Sequence, residues 1–144
     1  MIRKAVAADN AALALLWLES SLKAYPFIEA DFWHKKLPLV EHYYLRQGIT
    51  YVSEQDKRLQ GFLTLNEPDF IGGLFVVPAL WRHKLGTALL AEAKQGAAYL
   101  ELEVYAQNAG AVAFYQNQEF LLIGVRMAPE TGEAILRMRW EHGL

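Results

Sequence analysis

Cysteine is absent from the sequence. That absence removes disulfides, thiolate-held metal sites and cysteine nucleophiles together. No run of 18 apolar residues occurs, and Met1-Ile2-Arg3-Lys4 leads into mixed sequence, so neither a membrane span nor a secretory signal is expected. Charge of one sign is not concentrated anywhere. The 14 Lys and Arg residues are scattered among 16 Asp and Glu for a net charge of −2, which argues against nucleic acid as a main partner. The histidines, His34, His42, His83 and His142, share no ligand-like spacing, so no metal site is expected. Neither G-x-x-x-x-G-K-[S/T] nor G-x-G-x-x-G is present, which leaves nucleoside triphosphates and dinucleotides without a motif. Repeats, linkers and low-complexity stretches are also missing. The expectation is a soluble cytoplasmic protein whose residues 1–144 form one domain, with 53% apolar and 21% charged content enough for a sizeable core.

What is present reads as an ordered alternation of strands and helices. Met1 to Ala5 makes a short strand. Asp9 is placed to N-cap a helix over Asn10 to Leu22, whose Leu13, Leu16, Trp17 and Leu18 form an apolar stripe. Pro26 ends it. A second helical pattern runs from Asp31 to Arg46, with Pro38 expected to split or kink it and Gly48 to stop it. Ile49 to Gln55 and Leu59 to Leu65 form a hairpin about Asp56-Lys57-Arg58. After a turn at Glu67-Pro68-Asp69, Phe70 to Val77 forms a strand whose Leu74 to Val77 portion looks buried on both faces. A helix begins near Leu85, a strand spans Tyr99 to Tyr105, and Asn108 caps a helix from Ala109 to Gln116. Phe120 to Met127 and Glu133 to Trp140 close the chain as a hairpin, with Leu122, Val125, Ile135 and Met138 available for the core. The strand–helix–strand unit from Phe70 to Tyr105 implies a right-handed parallel crossover inside an otherwise hairpin-paired, mixed sheet. A ligand site is expected outside the carboxyl ends of those two strands.

The turn between the Phe70–Val77 strand and the next helix is basic. Arg82, His83 and Lys84 precede Leu85, Gly86 and Thr87, where a helix start offers unpaired N–H groups to a phosphate. The order V-x-P-x-x-x-R-x-x-x-G-x-x-L over Val76 to Leu89 resembles the acetyl-CoA pyrophosphate loop of the GNAT superfamily of N-acetyltransferases. Trp81 and Lys84 depart from that family's usual Gln or Arg and Gly, whereas Gly86 keeps the last glycine. Residues 101–120 resemble the family's next strand and helix, with Glu103, Asn108, Ala111, Phe114, Tyr115 and Phe120 in register and Glu119 where glycine is usual. Weaker similarity covers the length of the chain and is nearest to small bacterial members that acetylate protein lysines.

The resemblance implies a GNAT-like α/β (α+β) fold: a mixed, mostly antiparallel sheet of about seven strands, about four helices, and a cofactor cleft between two splayed parallel strands. It implies acetyl-CoA as co-substrate, bound by Leu74, Phe75 and Val76 along the strand, Arg82 to Thr87 at the turn, and Asn108. An amine acceptor, protein lysine or else a small molecule, would meet Tyr25, Phe27 and Phe70, with His34 as a further candidate. The acting protein would be a monomer or a homodimer. Glu103 takes the place of the general base and Tyr115 that of the general acid. Each has a plainer reading: Glu103 a solvated strand carboxylate beside Glu101, Tyr115 a packed aromatic beside Phe114, Asn108 a helix cap alone. Glu67 and Asp69 compete with Glu103 for the base. The departures at Lys84 and Glu119 also leave open a CoA-binding module without activity.

Overall fold

The computed structural model describes residues 1–67 and 69–143. One seven-stranded sheet carries everything, in the order β1 (Ile2–Lys4), β2 (Ile49–Gln55), β3 (Arg58–Leu65), β4 (Phe70–Val76), β5 (Tyr99–Tyr105), β7 (Ala134–Glu141), β6 (Leu121–Met127). Only β4 and β5 run parallel, and α3 (Leu85–Lys94) is their crossover. Helices α1 (Asn10–Ala24) and α2 (Ala30–His42) cover one face, and α3 with α4 (Ala109–Asn117) pack on the other. Strand alternation therefore divides β5 cleanly. Leu100, Leu102 and Val104 enter the core with Leu89, Leu90 and Tyr115, while Tyr99, Glu101, Glu103 and Tyr105 point to the α1/α2 side. Burying a leucine such as Leu89 or Leu90, both fully enclosed, stabilises the fold by roughly 1.5–3 kcal/mol each.

The mixed seven-stranded sheet, the four helices and the splayed parallel pair expected from the sequence are all present. Several local expectations give way. The Asp9 carboxylate does not cap α1. It turns back to accept the Val6 N–H at 2.8 Å and holds the Arg3 guanidinium at 2.9 and 3.1 Å, a charge-assisted pair that keeps the side chain away from the first amides of α1. Pro38 neither splits nor ends α2; it and Leu39 are exposed, so the lost hydrogen bond lies on the hydrated side. Leu122 and Val125 are not core residues but are 56% and 62% exposed, since β6 is the outer edge strand and no helix covers it. Leu74 to Val77 are half-buried rather than enclosed, for a reason that creates the cleft described below. The turn expected at Glu67-Pro68-Asp69 includes Pro68, which lies outside the described residues.

Candidate functional site

A glycine pair opens the molecule. Strands β4 and β5 pair only at Phe70 with Glu101 and Ile71 with Leu102. The β3–β4 register then shifts, Thr64 facing Gly73 and Leu65 facing Ile71, which leaves Gly72 as the extra residue of a bulge. Any side chain here would have to displace its neighbours: a Cβ on Gly72 would stand 2.1 Å from the Asn66 side chain and one on Gly73 2.4 Å from the Phe75 ring. The bulge adds twist, β4 turns away from β5, and the β4 edge beyond Ile71 loses its ladder partner. Phe75 and Val77 now face the α1/α2 core while Leu74 faces α3. Between the splayed strands lies a cleft of about 790 Å³.

One wall is the basic turn. Arg82 and Lys84 both have left-handed backbones, at φ +72° and +65°. Lys84 thus holds a left-handed conformation that glycine adopts freely, at a cost of roughly 1–2 kcal/mol, and serves as N-cap of α3. The first helical bond is Ala88 N–H to the Lys84 carbonyl, so the amides of Leu85, Gly86 and Thr87 have no partner within the helix and offer an anion site. Gly86 lies against the Phe114 ring, which a Cβ would meet at 3.3 Å. Trp81 donates its indole N–H to the Val76 carbonyl at 2.7 Å. Val76 therefore presents one fewer free backbone acceptor than the sequence implies.

The opposite wall is α4. Asn108 accepts the Ala111 N–H at 3.2 Å, as a cap should, and still lines the cleft. The C-terminal end forms a two-bond cap: Phe120 N–H to the Tyr115 carbonyl at 3.0 Å and Glu119 N–H to the Gln116 carbonyl at 3.0 Å. Glu119, at φ +71°, occupies the left-handed position usually given to glycine. Phe120, 1% exposed, packs its ring 5.6 Å from that of Tyr115 and fixes it. Burial, with Tyr25 nearby, holds the Tyr115 hydroxyl well above the ordinary phenol range, so it stays protonated. Burial likewise raises Tyr25, against a lowering contact with Asn108.

Glu103 is the carboxylate of the cleft; among the described lining residues there is no other. Both oxygens accept from Arg126 of β6, Nε to Oε2 and Nη2 to Oε1, each at 2.9 Å. Arg137 of β7 stands 3.9 Å away. The Arg126 hydrogen bonds, opposed in part by burial, keep Glu103 below the usual carboxylate range and therefore anionic.

The cleft gathers Tyr25, Leu74, Phe75, Val76, Arg82, Lys84, Leu85, Gly86, Thr87, Glu103, Asn108 and Tyr115. It does not gather His34, His83, Phe27 or Phe70. Phe27 packs edge-on against Tyr25 and Tyr105 behind the wall. Phe70 precedes the bulge, where β4 is still paired with β5, and lines a separate polar hollow of about 440 Å³ under the Arg137 guanidinium. Glu67 and Asp69 lie in that hollow too, Asp69 bonded to the Tyr99 hydroxyl. Sequence reasoning missed Tyr105 and Arg126. For Arg126 no local signal exists, since its meeting with Glu103 spans 23 residues and depends on β7 lying between β5 and β6. The bulge did have a signal, two glycines inside a strand pattern. Among the described residues no group of three or more His, Asp or Glu side chains could hold a metal ion, and no helix is long and apolar enough to cross a membrane.

Comparison with known proteins agrees with this architecture. The chain is 37% identical over 140 residues to the peptidyl-lysine N-acetyltransferase YiaC of Escherichia coli (strain K12), covering 97% of this chain and 96% of that one. Its fold matches the solution structure of apo-form YjaB from Escherichia coli with a TM-score of 0.85 at 22% identity, over 97% and 96% of the two chains. It also matches the PaiA N-acetyltransferase of Thermoplasma acidophilum, solved in complex with coenzyme A, with a TM-score of 0.80 at 21% identity, over 97% and 98%. Residues 12–120 match the sequence profile of the acetyltransferase (GNAT) family, and with the splayed strands, the basic turn and the Asn108–Phe120 helix in place, the chain belongs to that family.

Proposed function

We propose that this protein transfers the acetyl group of acetyl-CoA to the side-chain amine of protein lysines. The observation that carries the reading is the cleft itself, which sets one carboxylate, Glu103, and one buried neutral phenol, Tyr115, into the space between an open strand edge and a basic helix start. Those features fit CoA. The unpaired edge of β4 beyond Ile71 suits pantetheine amides, with Leu74 and Phe75 better placed than Val76, and the amides of Leu85 to Thr87 with Arg82 and Lys84 suit a pyrophosphate.

Bound acetyl-CoA supplies an activated acetyl thioester, whose carbonyl carbon gains a bond to the amine nitrogen as its bond to sulfur breaks. Tyr115 donates its phenolic proton to the departing sulfur, which its protonated state permits. Glu103 draws the acceptor ammonium into the cleft and takes its proton, directly or through water. Because Arg126 holds Glu103 well on the acidic side, this carboxylate is a weak base and hands the proton on to solvent. The deprotonation of the lysine, whose free pKa is about 10.4, then sets the rise of rate with pH through the neutral range.

A protein acceptor is favoured over a small amine by the exposure of the acceptor side: β6 is open along its length, and the Arg126 and Arg137 side chains beside Glu103 are 51% and 41% exposed. The lysine specificity named for YiaC points the same way. The test is mass spectrometry of a mixed protein substrate incubated with isotopically labelled acetyl-CoA, with wild type or Glu103→Gln. Label on lysine side chains that falls roughly 10²–10⁴-fold in rate in the variant is the expected result. Label only on small amines would replace the acceptor, and no transfer despite CoA binding would leave a binding module.

A further inference from the structure

Resting on that reading of Glu103, we propose that Arg126 keeps the acceptor's place on Glu103 and yields it in an ion-pair exchange that selects lysines with a neighbouring Asp or Glu. In the free protein one edge of the guanidinium is spent on Glu103, Nε–H and Nη2–H each meeting one oxygen at 2.9 Å. An ammonium reaching that carboxylate must use the lone pairs the guanidinium leaves and sit beside two cations, Arg126 and, from the β7 side at 3.9 Å, Arg137. Also on this face are Tyr99, Glu101 and Tyr105 on β5 itself and Arg139 on β7, with Tyr25 beyond Tyr105. Acceptor binding therefore crowds like charges around one carboxylate and drives Arg126 to move aside. It is free to do so, being 51% exposed and on the edge strand of the sheet.

A displaced guanidinium needs a new partner, and the nearby carboxylates are engaged. Glu101 is held by Arg137 and Arg139, Glu141 by Arg139, Glu133 by Gln107, and Glu130 by Lys36. Displacement into water loses a bidentate, charge-assisted pair outright. An acidic residue beside the target lysine restores it: lysine takes Glu103, the acceptor's carboxylate takes Arg126, and two pairs replace one pair and two hydrated charges. A basic neighbour instead adds a further cation beside Arg126 and Arg137, with one carboxylate among them. Discrimination comes as much from that repulsion as from the new attraction.

The experiment uses the full chain, saturating acetyl-CoA, and three peptides identical except that one lysine is flanked by Asp, Ser or Arg. Wild type is expected to show kcat/KM about tenfold higher for the Asp-flanked than for the Ser-flanked peptide, with the Arg-flanked peptide lowest. Arg126→Ala should level the three, and Arg126→Glu should invert their order, a reversal that damage to the fold cannot imitate. No preference in wild type, or the same preference kept in Arg126→Ala, overturns the proposal. Should wild type acetylate none of the peptides, the lysine reading fails separately, and the exchange is then read by NMR on CoA-loaded protein. The Arg126 Nε–H signal should move at an about tenfold lower concentration of the Asp-flanked peptide than of the Ser-flanked one, and equal concentrations overturn it.

Discussion

Replacing Tyr115 by Phe tests the chemistry with the least disturbance of the fold. The change removes one oxygen from a ring that is 8% exposed and held by Phe114 and Phe120 at centroid distances of 5.2 and 5.6 Å. Among the described residues no protein group bonds to that hydroxyl, so its loss orphans nothing, and stability should change by no more than about 0.5 kcal/mol. Acetyl-CoA affinity should be equally unmoved. Turnover should fall about 100-fold, equivalent to ~2.7 kcal/mol of barrier, if donation to the departing sulfur limits the rate. The pH dependence supplies a second check. With its pKa raised by burial, Tyr115 stays protonated past the ordinary phenol value of about 10, so wild type should lose activity only above that pH. The Tyr115→Phe ring carries no such proton, so that alkaline decline should be absent from the residual rate. The assays are thiol release, calorimetric acetyl-CoA binding and a thermal melt on the same preparation. A variant that melts, binds and turns over as wild type does would make Tyr115 a packing residue and remove the acid from the mechanism.

Gly86→Glu, by setting bulk against Phe114 and negative charge at the start of α3, should abolish acetyl-CoA binding in calorimetry while the far-UV spectrum is retained. Glu119→Gly should stabilise the protein by roughly 0.5–1 kcal/mol in denaturant titration, since it relieves a left-handed backbone at the α4 cap at some cost in unfolded-chain entropy. Asp9, lowered in the folded state chiefly by its hydrogen bonds to Arg3, contributes stability that is fully present above its unfolded value of about 3.9 and is lost as pH falls through the lower folded value. The gap in melting temperature between wild type and Asp9→Asn should therefore be open at neutral pH and close on acidification.

How far the chain could be read without its fold depends on the range of the interaction involved. Periodicity and punctuation are local, so the strand from Ile49 to Gln55, the hairpin after it, the helix opening at Leu85 and the Asn108 cap were all legible in order. The cap and the helical repeat likewise imply that Tyr115 sits about two turns into α4, on the face shared with Ala111. The basic turn and the register from Glu103 to Phe120 carried the resemblance to the acetyltransferase family, and it was that resemblance that named the chemistry. Tertiary structure decided what those residues meet. The bulge at Gly72 fixes which side chains of β4 face the cleft and leaves Phe70 outside it. Sheet order brings Arg126 onto Glu103, makes β6 an exposed edge, and sends the Asp9 carboxylate to Arg3 instead of a helix end. The meeting of Arg126 with Glu103 and the exposed edge depend on elements distant in sequence, whereas Asp9 is decided by a competition among near neighbours. A side chain's own neighbourhood in the chain states what it can bind, and only the assembled sheet determines which partner arrives.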